Sequence, residues 1–303
     1  MADATSETSL QRGRWAVRHV APPPRSIVDL LRSGTLDADL AATTWLLLEH
    51  RVALLVAADG HGTGKSTLLE ALLAFVPTDI RRVDLQGDEE TFDWLPQASE
   101  LGWDRTPGRR RADERAATPV RPDTTVLVAA ELSDHLPSYT WGSAARIAVR
   151  AASIGYGLAA TIHADALEAV FATLAGPPVE LSDDELSRLG VVLIVRRLRD
   201  DRRRVIAAHY VRPTARDEHG HVQRLGPAVL ATWDETADRF EHFGWAIAPE
   251  LASRIGWHPG DLELEIDRRR AYLDHLADAG IVAVDDVRAA IAAYRPLVPT
   301  PST

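Results

Sequence analysis

The chain has 303 residues, a formal net charge of −10 and 26% charged residues, the profile of an ordinary globule with room for one large domain or two modest ones. It has no cysteine, which excludes disulfides and thiolate metal sites, and its acidity argues against non-specific binding to nucleic acid or anionic membrane. The first residues are polar and no apolar run reaches the length of a membrane span, so the expectation is a cytoplasmic protein, peripheral to a membrane at most.

Residues 1–36 read as a tail and linker, with Pro22-Pro23-Pro24 closing the polar start and Ile27 to Arg32 offering one or two helical turns before Gly34. A helix is predicted from Asp37 to Glu49, with Leu40, Thr44, Leu47 and Leu48 on one side. Val52 to Ala58 is a continuous apolar run of strand length, as a central parallel strand covered on both faces requires. It leads into Asp59-Gly60-His61-Gly62-Thr63-Gly64-Lys65-Ser66-Thr67, and Leu68, Leu69, Leu72, Leu73 and Val76 then recur at helical spacing up to Pro77. Ile80 to Leu85 is a short strand, followed by the acids Asp88, Glu89 and Glu90. From Asp104 to Pro122 the chain is rich in Pro, Gly and Arg and reads as a loop.

Thr125 to Ala130 is the next buried strand, ending at Glu131; a helix near Ser143 to Ser153 leads to a strand from Gly157 to Ile162, ending at His163. A helix from Ala166 to Leu174 follows, and then Val191 to Leu198 and Arg203 to Val211 form a hairpin about a polar turn. The runs Arg109-Arg110-Arg111 and Arg202-Arg203-Arg204, interleaved with acids, read as solvated loops, and His219-Gly220-His221 as a turn. From about Arg216 helices are expected, including Leu262 to Ala279 and Val284 to Tyr294, split by Gly280. The pattern specifies an α/β fold: a doubly wound and mostly parallel sheet over residues 37–215, with a small helical domain over 216–303.

Of the 34 basic residues only Lys65 is a lysine. It stands where a compact ammonium must reach between phosphate oxygens inside a closed loop, a place too narrow for a guanidinium. Strand, glycine loop and helix are in the order that the P-loop requires. Backbone N–H groups from Gly60 to Thr67 would then converge on phosphates at a helix N-terminus, with Ser66 holding Mg²⁺. Asp59 occupies the place of the first glycine of the pattern and brings a carboxylate to the phosphates. Glu131, past a buried strand, is placed to orient the Mg²⁺ shell or the attacking water. Among Asp88, Glu89 and Glu90, one or two can face the nucleotide. His163, also at a strand end, is a candidate sensor.

These residues resemble a family. Gly155-Tyr156-Gly157 through Thr161-Ile162-His163-Ala164-Asp165 is similar to the histidine box of the type II/IV secretion and pilus-assembly ATPases, and Arg121-Pro122-Asp123 with the strand ending in Glu131 to their Walker B segment. Glu89-Glu90-Thr91-Phe92-Asp93 falls where the family has an acidic box, in a register ending on Glu90 or on Asp93. Leu30 to Thr35 and the later Arg268-Arg269-Arg270 and Tyr272-Leu273 resemble the archaeal-type branch. The resemblance implies a P-loop, RecA-like fold and an ATP- and Mg²⁺-dependent motor subunit, with Glu131, Glu90 and His163 as its catalytic set. It implies a homo-oligomer, a hexamer, working on an integral-membrane platform protein, with no nucleic acid. Arg81, Arg82, Arg121, Arg196 and Arg197 are candidates to act across the ring. The departures are Asp59, Tyr156 in place of a histidine, Leu132-Ser133-Asp134 after the Walker B glutamate, and a stretch before the P-loop too short for the family's N-terminal domain. They leave open a non-hydrolysing regulator of such a motor, and an unrelated P-loop kinase as a third reading.

Overall fold

The computed structural model describes residues 23–104, 120–216, 219, 222–223 and 225–294; the 1–22 tail, the Arg109-Arg110-Arg111 run and most of the His219-Gly220-His221 turn lie outside the described residues. The strand before the glycine loop, β1 (Leu54–Ala58), is buried along its whole length. Its side chains alternate between two cores: Leu54, Val56 and Ala58 enter one, Leu55 and Ala57 the other. A strand with no wet face reads as an unbroken apolar run, as β1 does.

Around β1 lie β2 (Arg81–Asp84), β3 (Thr125–Leu132), β4 (Gly157–His163), β5 (Val191–Arg197), β6 (Arg203–Tyr210), β9 (Ala228–Asp234) and β10 (Arg239–His242); the short pair β7 (Ala215–Arg216) and β8 (Val222–Gln223) stands apart. The order is β10-β9-β6-β5-β1-β4-β3-β2. From β5 to β2 neighbours run parallel, and β6, β9 and β10 join antiparallel. β2 is an edge strand, and its Arg82 is held by Glu70 at 2.8 Å and Asp84 at 2.7 Å.

One face carries α1 (Ile27–Arg32), α2 (Ala38–Glu49) and α3 (Lys65–Leu72), and also α7 (Ala248–Ile255), α8 (Pro259–Asp278) and α9 (Val284–Ala293). The other carries α4 (Gly142–Ser153) and α5 (Leu167–Ala175), with the four-residue α6 (Asp183–Leu186) beside them. Ser26 caps α1 and Asp37 caps α2, each accepting from a backbone N–H three residues on.

Two expectations are modified. The end of the 1–36 linker is built into the core, where Ile27, Val28 and Leu36 are fully buried. The stretch from 216 onward contributes β9 and β10 to the main sheet before its helices begin, and those helices share one core with α1, α2 and the sheet. Residue 216 therefore marks no break in the sheet. β10 escapes notice in sequence because it is short, half-exposed and mostly polar, whereas β9 is a seven-residue and largely apolar strand that the expectation of helices passed over.

Candidate functional site

The parallel arrangement brings the carboxyl ends of β1, β4 and β3 side by side. Between β1 and α3 the chain turns through Gly60, Gly62 and Gly64 at φ of 79°, 72° and 96°, angles that cost an L side chain but not glycine. A Cβ built at Gly60 or Gly62 meets nothing within 4 Å, so the mouth of the loop is open. Gly64 is the N-cap of α3, and no side chain caps that end, which leaves the first-turn N–H groups turned toward the loop. Thr63 is buried and donates to the Gly60 carbonyl at 3.4 Å, while His61 and Ser66 are exposed at the rim. Thr67, in the first turn of α3, is half-buried.

Lys65 lies under the loop, only 7% exposed. Its Nζ donates to the Ala58 carbonyl at 3.3 Å and stands 3.5 Å from Glu131 Oε2. A β-bulge aims that glutamate. Ala129 pairs with Ala160 and Leu132 with Ile162, so Ala130 and Glu131 share one position opposite Thr161. Thr161 Oγ1 donates to the Ala130 carbonyl at 2.6 Å and satisfies the group that the bulge displaces. Glu131 is buried while Ala130 is exposed. Ser133 Oγ donates to Glu131 Oε1 at 3.1 Å, and His135 Nδ1 lies 3.6 Å from the same oxygen.

His163 is paired in register with Ala58, one residue before Asp59. Its Nε2 stands 2.9 Å from Asp59 Oδ1, and its ring meets that of His135 edge-on, centroids 5.6 Å apart. The result is a continuous arc of Asp59, His163, His135, Glu131 and Lys65 around the glycine loop. Sequence reasoning found three of these as site residues. It missed His135, because the loop after β3 carried no recognised pattern, and it treated Asp59 as a defect rather than as a partner of His163.

Arg203 was also missed. β6 runs antiparallel to β5, so its first residue returns to the edge where β1 ends. There Arg203 Nη2 donates to the Gly62 carbonyl at 3.2 Å, and its stem lies 3.5 Å from the place of a Cβ on Gly64. The hairpin was legible in sequence, but the neighbourhood of β5 and β1 was not. The run Arg202-Arg203-Arg204 is correspondingly less solvated than expected: Arg204 is buried at 5% exposure and donates to the Ser33 carbonyl at 2.8 Å. Of the arginines considered for action across a ring, Arg82 is held by its two carboxylates and Arg197 by Asp201 at 2.6 Å. Arg121 and Arg196 are exposed.

Glu90 is 3% exposed, whereas Asp88, Glu89 and Asp93 are exposed. Its carboxylate accepts from Gln86 N, Thr91 N, Phe92 N and Trp94 Nε1 at 2.9–3.1 Å. Four bonds use most of the lone-pair capacity of a carboxylate, and they make Glu90 the clasp of its loop. That loop rests on the one after β3, with Asp88 N donating to the Pro137 carbonyl at 2.8 Å.

The donor set suits a polyphosphate and its cation. The open loop presents backbone N–H groups, Lys65 supplies one deep positive charge, and the Ser66 hydroxyl and Glu131 carboxylate supply the hard oxygens that Mg²⁺ takes. Lys65 and Glu131 also lie within ion-pair distance of each other, at 3.5 Å.

No family model matches this chain. It is 25% identical over 262 residues to an uncharacterised protein of Methanocaldococcus jannaschii, covering 82% of this chain and 90% of that one. A second uncharacterised protein of that organism is 22% identical over 308 residues, and the chain spans only 52% of its length. Similar solved structures include the VirB11 ATPase of the Brucella suis type IV secretion system in complex with sulphate, at 21% identity and a TM-score of 0.39, covering 61% of this chain and 56% of that chain. The Legionella pneumophila ATPase DotB is another, at 14% identity and a TM-score of 0.36, covering 90% of this chain and 66% of that chain. This chain thus covers less than two thirds of either solved chain.

Proposed function

We propose that this chain is an ATP-binding and ATP-hydrolysing subunit of a cytoplasmic motor that powers type II/IV secretion or type IV pilus-like assembly. One observation carries the reading: Lys65, Glu131 and His163 meet at three adjacent strand ends around an open glycine loop. The order of boxes along the sequence adds the family. Lys65 and the N–H groups of Gly60 to Thr67 hold the β- and γ-phosphates, and Ser66 with Glu131 holds the Mg²⁺ shell. Bound Mg²⁺ neutralises charge on the phosphate oxygens. Glu131 orients the attacking water, His163 reports on the γ-phosphate, and Glu90 assists by fixing the 86–94 loop. Phosphoryl transfer gains mainly from such positioning and charge, so this set suffices without a covalent intermediate. The active form is a homo-oligomer, a hexamer, at the inner face of a membrane, acting on an integral-membrane platform protein. Among the described residues no helix is long and apolar enough to cross a membrane.

The test is ATP turnover with oligomeric state followed by light scattering. Wild type should hydrolyse and assemble more fully with Mg²⁺-ATP, and Glu131→Gln should bind but not turn over. A strict monomer hydrolysing at a rate independent of concentration would overturn the motor.

A second reading, a catalytically weak regulator of such a motor, is favoured by the Asp59 carboxylate at the mouth of the loop, where the pattern has a glycine. Tight ATP binding with no turnover, in the monomer and the oligomer alike, selects it.

A further inference from the structure

Apart from the glycine loop, α2, β9, β10, α7 and α8 border an open cavity of about 410 Å³. Its floor is apolar, formed by Leu40, Leu230, Leu251 and Leu262. Carboxylates of Asp39, Glu263 and Asp267 line it, and Trp245 stands at its wall with 74% of its surface exposed. Exposed Phe243 and Leu264 adjoin the lining residues His242, Gly244 and Glu263 in sequence. Of the large exposed hydrophobics among the described residues, Trp245 is the one that lines this depression.

The charge is unbalanced as well. Among the described residues, the ion-pair partners of Asp37, Asp39 and Asp267 here include Arg270 and His242. Arg270 is shared between Asp39 and Asp267, each at 3.2 Å, and His242 Nε2 pairs with Asp37 Oδ2 at 2.7 Å. Glu263 is exposed and makes no hydrogen bond or ion pair among the described residues. An indole with a free face beside an unpaired carboxylate attracts a cation by both its quadrupole and the neighbouring charge. The apolar floor asks for a bulky side chain next to that cation. A volume of this size takes one or two side chains, not a folded surface.

We propose that this cavity is a docking site for a basic peptide segment of a partner protein, an arginine or lysine stacked on Trp245 and paired with Glu263 while an adjacent aliphatic or aromatic side chain fills the floor. The chain's net charge of −10 favours the approach of such a segment.

The test is calorimetric titration without nucleotide, using a synthetic peptide in which two arginines flank a leucine pair and a matched peptide with glutamates in their place. The arginine peptide should bind, and more weakly at high salt, while the glutamate peptide should not. Trp245→Ala and Glu263→Gln, both at exposed positions and so neutral to folding, should each weaken binding about tenfold. Absence of binding by the arginine peptide, equal binding of the two peptides, or unchanged affinity in both variants would overturn the proposal. So would self-association that Trp245→Ala abolishes, because the occupant would then be a second copy. The measurement needs no hydrolysis, so it fails or succeeds separately from the motor reading.

Discussion

Asp59 and His163 face each other at 2.9 Å across the ends of two neighbouring strands, and each accounts for the other. An aspartate at the mouth of a phosphate loop repels its ligand. A histidine at the end of β4 gives that carboxylate somewhere else to point.

Replacing Asp59 with glycine removes this charge and frees the imidazole. At about 4 Å and in the dielectric of an exposed site, one unit of like charge costs on the order of 1 kcal/mol. Asp59→Gly should therefore bind ATP about fivefold more tightly by calorimetry. Unchanged affinity would mean that the carboxylate already lies outside the field of the phosphates.

Arg203 reaches the glycine loop from within the same chain, so its effect should not depend on assembly. Arg203→Ala should weaken ATP binding about three- to tenfold, less than a fully buried charge-assisted contact because the side chain is half-exposed. Arg203→Lys should not restore it, since an ammonium lacks the fork that spans Gly62 and a phosphate. Arg197→Ala, whose guanidinium is tied to Asp201, serves as the control and should bind as wild type does.

His242 should make stability depend on pH. Burial pushes its imidazole down, but the hydrogen bond with Asp37 and the charges of Asp37 and Asp39 outweigh it, so its pKa is raised above the usual 6.5. A raised value means that its contribution is complete below the unfolded pKa and fades as pH rises through the folded one. The difference in melting temperature between wild type and His242→Asn should be large near about pH 6 and small near about pH 9. A difference that grows toward alkaline pH would refute this. His50 and His209 behave oppositely, because burial lowers both, so the comparison must be made against the variant and not on wild type alone.

Arg269 is fully buried in α8, its Nε donating to Glu265 at 2.9 Å and its Nη1 paired with Glu49 at 2.6 Å. Its guanidinium lies 4.7 Å from the Trp45 ring and 5.6 Å from that of Tyr294. Arg269→Ala strands the Glu265 carboxylate away from water and should cost about 3–5 kcal/mol in denaturant unfolding. Changing Arg269 and Glu265 together to Met and Leu should recover much of that loss.

How much of this was legible beforehand follows from range. The glycine loop, β1 and α3 are contiguous in sequence, and each carries its own signal: an apolar run, three glycines and a helical repeat. Glu131 and His163 were readable because a strand's end is a local feature. Contacts that depend on strand order were not readable. Arg203 touches Gly62 across 141 positions, and only the placement of β5 beside β1 brings them together. Glu90 was found as an acid of interest, but its backbone donors arise from a turn that no residue pattern announces. The exposed Trp245 reads in sequence like any core aromatic, since nothing local tells which side of a half-buried segment meets solvent.

Among the described residues the sheet stops at β2, and the manner of its stopping has a consequence for the molecule in a crowded solution. A strand with one unpaired side is a template on which any extended peptide can lay itself down. β2 is only four residues long, and its exposed positions carry Arg82 and Asp84, locked to each other and to Glu70. An invading strand would have to dismantle that ionic clasp and bury its charges before gaining a single ladder bond. The edge therefore works as a guard against runaway growth of the sheet, and leaves specific association to the sites that are shaped for it.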